Sequence, residues 1–460
     1  MVNTSSSSFA QNSAQTKVER RSVDRYGQSQ LSRPAALHHL PGSPAMYDDT
    51  LLWKFLSYFS QNAGGRTWTA KLPLLISAKN ARAMKAAARA VSLAFAAQNV
   101  RDPSMAQAAC EYYGNSLRYH QFSFKAPPGK DPCKKKAVNA LPVTVLLSYF
   151  EMIQATSPDA WLKHTLAAER LFALLGTDAL SDDLLNHLYF IIRSNSAIRC
   201  FLLGTQTQLA EQHWSEIALV RPCGRATAVF HDVVDIIMRL SRYINVHNLD
   251  SPLDLSRHHR ATLEATQAEL SALWTTFGGT IGLDVDIWPL FDSIVPSEHQ
   301  QIYLRSFLPD AIQESSAALS AAFFHAAAIL VLTLLHRNEM GNTRHGITGI
   351  TGLQDDHSLI TVSSNSQSLY LAHLEHHGAQ IIALAQCLRT QQIGCACLRM
   401  ILPLTVVHRL SPLEEQSLLA ETSYRDWCIS DGMPGLVLLA FGDKQDLTTM
   451  SIPGLQGDWP

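Results

Sequence analysis

Four groups of residues in this chain have the types and spacing that chemistry requires. In His373-Leu374-Glu375-His376-His377, two histidines stand four apart, the interval that puts both imidazoles on one helix face. A zinc hydrolase needs H-E-x-x-H or H-x-x-E-H, which sets a carboxylate beside the metal-bound water. Glu375 falls in neither place, and apolar residues at 371, 374 and 381 flank the group. The expectation is a half-exposed histidine cluster at a helix mid-point. Asp232 and Asp235 lie three apart in His231-Asp232-Val233-Val234-Asp235, the spacing with which an all-α isoprenoid enzyme holds Mg²⁺ against a diphosphate. That chemistry wants a second acidic motif on a facing helix, and the sequence offers no convincing one. Arg239, four residues beyond Asp235, gives the plainer expectation of a helix ion pair.

Cys387, Cys395 and Cys397 are the tightest of the eight cysteines, which include no C-x-x-C pair. A structural zinc site needs a fourth ligand of fixed spacing, so buried thiols are expected instead. The fourth group is basic. Lys125 to Lys136 reads KAPPGKDPCKKK, five lysines against one aspartate, with prolines and a glycine that predict a loop. Lys130, Lys134, Lys135 and Lys136 are the candidate nuclear localisation residues; a solvated surface loop is the alternative. No aromatic interleaving supports a stacking surface for single strands. Neither a G-x-G-x-x-G nor a G-x-x-x-x-G-K-[ST] phosphate loop occurs, and there is no G-x-S-x-G elbow. No catalytic, cofactor-binding or metal-ligating residue is assigned, and no cofactor is expected.

The elements that would position these groups are helical almost throughout. Met84, Ala87, Ala88, Val91, Ala94 and Phe95 recur at helical spacing, with Lys85 and Arg89 on the other side. Asp102-Pro103 supplies an N-cap with proline at the first helical position, pairing the next helix with this one. Further helices are expected over 138–152, from Ser157-Pro158 to Gly176, and over 181–193, 226–243, 253–277 and 370–388. Pro309 opens the longest apolar helix, which stops near Gly341, and the glycines at 346, 349 and 352 form a flexible link. Strand candidates are two and short, Leu359–Val362 and Leu436–Phe441. The fold class expected is all-α, a large helical-hairpin or solenoid-like bundle.

Its size suits that class. The chain has 460 residues, 47% of them hydrophobic and 17% charged, enough apolar surface for a large core. Thirty-seven basic and 39 acidic residues leave a net charge of −2, which excludes attachment to nucleic acid by bulk charge. Residues 1–46 hold nine serines and no apolar signal segment, so they read as a disordered Ser/Gln-rich tail before an all-α domain over 47–460. Ala317–Leu335 is 19 residues long without a formal charge, but seven are alanine and His325 and Ser320 interrupt it. A buried central helix is the favoured reading, with a membrane span as the weaker one.

Read in order, several segments resemble the regulatory (effector) domain of fungal binuclear zinc-cluster transcription factors. Leu51–Phe59 is similar to that family's opening helix, and Leu72–Ala97 to its leucine-proline stretch and Ala-rich helix. Met105–Tyr119 carries Tyr113-Gly114-Asn115-Ser116-Leu117-Arg118, like the family's Tyr-Gly and Leu-Arg elements. Trp161–Gly176 resembles a Trp, His, Leu-Leu-x-Gly helix, and Phe324–Arg337 a late central helix. The likeness spans roughly residues 50–340. Family members carry a six-cysteine zinc head near the N-terminus, whereas the first cysteine here is Cys110, so no residue inherits its DNA contacts. The resemblance implies a nuclear, non-enzymatic transcriptional regulator of pathway or secondary-metabolite genes. It would work through a DNA-binding transcription factor or the transcription machinery, touch DNA only indirectly, need no membrane, and act as a homo- or heterodimer. The rival reading is a Mg-dependent enzyme on isoprenoid diphosphates using Asp232 and Asp235.

Overall fold

The computed structural model describes residues 44–60, 68–79, 81–125, 132–211, 214, 225–241, 243, 257–285, 290–291, 308–312, 314–347, 357–391 and 394–441. Among them are fourteen α-helices, four short 3₁₀ turns and no strand, so the chain is all-α. The N-terminal helices are α1 (Pro44–Ser60), α2 (Leu72–Ser77), α3 (Arg82–Val100), α4 (Pro103–Lys125), α5 (Pro132–Gln154), α6 (Ala160–Leu175) and α7 (Asp183–Leu203). The C-terminal ones are α8 (Arg225–Ser241), α9 (Arg257–Ile281), α10 (Ser315–Ile347), α11 (His357–Thr390), α12 (Gly394–Leu410), α13 (Glu414–Ser430) and α14 (Pro434–Phe441). Most of the tail expected over 1–46 lies outside the described residues, but Pro44–Met46 already belong to α1.

Local rules account for the helix ends that were legible. Asp102 Oδ1 accepts from the amides of Ser104 (2.8 Å) and Met105 (3.3 Å), closing the start of α4 as an N-cap should. Gly176 ends α6 at φ 75°, its amide returning to the Phe172 carbonyl. The six α3 residues expected on one face are all buried, while Lys85 and Arg89 are exposed. So α3 packs its apolar stripe on α1, α4 and α5.

At the centre of the C-terminal helices, α10 packs on α8, α9, α11 and α12. Residues 317–331 are buried without a break. Small alanines let the four neighbouring backbones approach, while Phe323, Phe324, Ile329 and Leu330 fill the spaces between them. By length and composition this helix and Lys134–Gln154 are apolar enough to cross a membrane, yet both are mostly buried by protein. The last helix, α14, returns to pack on α5, α12 and α13. Its Gly435 lies so close to α5 that a Cβ would fall on the carbonyl oxygens of Glu151 and Met152. This contact admits only glycine without a backbone shift.

Several expected boundaries change. Helix α10 runs past Gly341 to Ile347, taking in Gly346; Gly349 and Gly352 lie outside the described residues. The strand candidates Leu359–Val362 and Leu436–Phe441 are helical, within α11 and α14. Short apolar runs read alike in strand and buried helix, and for Leu436–Phe441 the neighbouring helices α5, α12 and α13 decide. The loop expected over Lys125–Lys136 is helical at both ends: Lys125 ends α4, and α5 begins at Pro132, where a missing amide costs nothing, while residues 126–131 lie outside the described residues.

Candidate functional site

The histidine pair does share a helix face, and that face is buried against α10. His377 and His325 are fully enclosed and His373 is 7% exposed, so the half-exposed cluster expected from the sequence is an interior one. His325 comes from α10, and its Nδ1 lies 3.0 Å from Nδ1 of His377; one of the two donates and the other accepts. Trp274 of α9 packs its ring 5.7 Å from His325, and Phe291 lies 6.3 Å from His377. Burial pushes His325 down to about 3 and His376 to about 4, and holds His377 well below the ordinary histidine range, each aided by its neighbouring histidines. These imidazoles are therefore neutral at physiological pH. Nε2 of His377 and Nδ1 of His373 are buried with no hydrogen-bond partner. Among the described residues no group of three His, Cys, Asp or Glu has the geometry to hold a metal ion.

Of the acidic pair, Asp235 is drawn into packing and Asp232 is half-buried. Asp235 ion-pairs with Arg193 of α7 rather than with Arg239. Arg239 instead reaches Glu269 of α9, with Nη2 at 2.7 and 2.9 Å from its carboxylate oxygens. The expected i,i+4 pair is thus replaced by two bridges between helices, because α7 and α9 flank α8 and offer opposite charges at closer reach. Desolvation raises the Asp235 carboxyl, and Arg193 pulls it back.

Sequence reasoning missed a second buried pair. Arg199 of α7 grips Glu169 of α6 bidentately, Nε to Oε1 at 2.8 Å and Nη2 to Oε2 at 2.9 Å. Thr207 donates to the same carboxylate at 2.9 Å, and Arg199 also donates to Thr205 at 3.0 Å. The available signal was two arginines, 193 and 199, inside the largely apolar run of α7. The cysteine group divides as well. Cys387 is half-buried, whereas Cys397 is fully buried with its Sγ 3.6 Å from Cys428 Sγ on α13. The side chain of Cys395 lies outside the described residues.

The basic group is the one sequence-derived candidate that stays at the surface. Lys134 and Lys135 are exposed and Lys136 half-exposed in the first turn of α5; Lys130 lies outside the described residues. Three cations at a helix N-terminus oppose the positive end of the helix dipole. Pro142, further along α5, has no amide to donate to the carbonyl of 138. At the same end of the α4–α5 pair, Tyr119 (41%), Phe122 (70%) and Val138 (36%) are exposed, a mixture of basic and apolar groups suited to a protein partner.

No family model, no curated protein and no solved structure matches this chain.

Proposed function

We propose that this protein is a nuclear transcriptional regulator, an all-α effector body of the fungal-specific transcription factor kind that works through protein partners. The observation that carries the reading is the run Lys134, Lys135 and Lys136 near the N-terminus of α5, the first two exposed and the third half-exposed. Successive lysines at the surface are what an import receptor's acidic groove reads. The net charge of −2 fits a regulator recruited by a DNA-binding factor better than one that grips phosphates itself. The order of helices that resembles the fungal regulatory domain supplies the process, control of pathway or secondary-metabolite genes.

The test is to image the tagged chain and to compare transcripts between a deletion strain and its parent. A nuclear signal with a coherent block of altered genes is expected. Cytosolic signal, unchanged transcripts and a missing metabolite would overturn the reading and favour an enzyme, which Asp232→Ala would then inactivate.

A further inference from the structure

Helices α12 and α13 form a hairpin joined at one end by residues 411–413. At its other, open end, Cys397 stands in the first turn of α12 and Cys428 in the last turn of α13. Their Sγ atoms lie 3.6 Å apart, and both side chains are fully enclosed. A thiol is a weak donor and a weak acceptor, so this contact holds the hairpin only feebly. Tyr424 closes one side: its hydroxyl donates to the Cys397 carbonyl at 3.1 Å, and the Phe441 ring of α14 packs 5.9 Å from its own. The chain just beyond Cys428 is at the surface. Ile429 is 57% exposed, and Ser430, which ends α13, is exposed as well.

Two cysteines whose Cβ vectors point apart cannot be joined without moving the backbone. These two sulfurs already touch, and closing from 3.6 Å to a bond of about 2.05 Å is within reach of side-chain rotation. Burial, helped by the contact with Cys428, pushes the Cys397 thiol well above the ordinary cysteine range. The closed pair is therefore protonated and slow to react. Helix ends open at small cost compared with the whole fold, and that opening admits an oxidant and lets a thiolate form.

We propose that Cys397 and Cys428 are a redox-active pair that hydrogen peroxide closes to a disulfide, stapling the open end of the α12–α13 hairpin. One thiolate attacks a peroxide oxygen, the O–O bond breaks, and hydroxide leaves a sulfenic acid behind. The sulfur of the second thiol then attacks the sulfenic sulfur, forming the S–S bond and releasing water. The proton lost by the first thiol converts the hydroxide to water, so the two thiols are oxidised by two electrons and one peroxide is reduced to two waters. The new bond spans 31 residues of chain and restricts the unfolded state. This modification goes beyond the regulatory reading and is read on the purified chain, whatever genes it affects.

The experiment treats the folded full chain with hydrogen peroxide, alkylates the remaining thiols in urea, and maps the peptides by mass spectrometry without reduction. The expected result is a cross-linked peptide pair holding Cys397 and Cys428, lost on treatment with dithiothreitol. The oxidised chain should unfold at a higher urea midpoint than the reduced one, a shift that dithiothreitol reverses and that Cys428→Ala does not show. The mapping uses the unaltered protein, so it decides the matter even if the variant does not fold. No cross-link, a cross-link through Cys387 or Cys395 instead, or one that forms only in the urea-unfolded chain overturns the proposal. A cross-linked chain whose midpoint does not rise overturns the staple.

Discussion

Arg193 and Arg199 stand six positions apart in α7, and each is neutralised by a carboxylate from a different neighbouring helix. Inside a low-dielectric interior, removing one partner leaves an uncompensated charge, so the loss exceeds the worth of the pair. Glu169→Ala therefore lowers stability by about 3–5 kcal/mol, whereas replacing Glu169 and Arg199 together by leucine and methionine costs far less. Urea unfolding of the two variants checks this; equal losses would mean the ion pair is not what holds α6 to α7. By the same logic Asp235 depends on Arg193: without that arginine its carboxylate would be a largely buried charge with its closest partner gone.

Helix α5 shows how one element serves two ends differently. Its inner half is buried, from Val143 to Ile153, and Glu151 turns back to accept from the amide and hydroxyl of Thr156 at 2.7 and 2.6 Å. Its first turn carries Lys134, Lys135 and Lys136 against the dipole, on the far side of Pro142. Reversing two of these charges improves the helix while erasing the basic segment. Lys134→Glu with Lys135→Glu is expected to raise unfolding free energy by about 1 kcal/mol and to abolish nuclear accumulation. Denaturation and imaging of the same variant test both halves; a stabilised protein that still enters the nucleus would separate the lysines from import.

For the whole molecule, the histidines are the groups through which pH acts. His120, His164 and His376 are pushed down to about 4 and His325 to about 3, in each case first by burial. Their folded pKa values lie below that of an unfolded histidine near 6.5, so the unfolded chain binds more protons in the window between. Their neutral burial is free of penalty above about pH 6.5, and stability falls as pH drops from there toward 4. Each such histidine contributes a slope of up to about 1.4 kcal/mol per pH unit, before carboxylates begin to titrate. Urea midpoints at pH 7.5, 6.0 and 5.0 should decline steadily, and His325→Gln should flatten the decline; a flat profile would show that these imidazoles are not kept neutral.

The sequence by itself determined the helical class, the apolar stripe of α3, the capping at Asp102 and Gly176, and the surface position of Lys134 to Lys136. Each of these depends on neighbours within a turn or two, where backbone geometry and side-chain type act directly. Tertiary structure alone decided that His325 meets His377 and that Arg193 rather than Arg239 takes Asp235. The partners in these contacts come from different helices, as much as 52 residues apart for the histidines. It also turned Leu436–Phe441 into helix, because an apolar run of that length is satisfied by whichever backbone its packing neighbours complete.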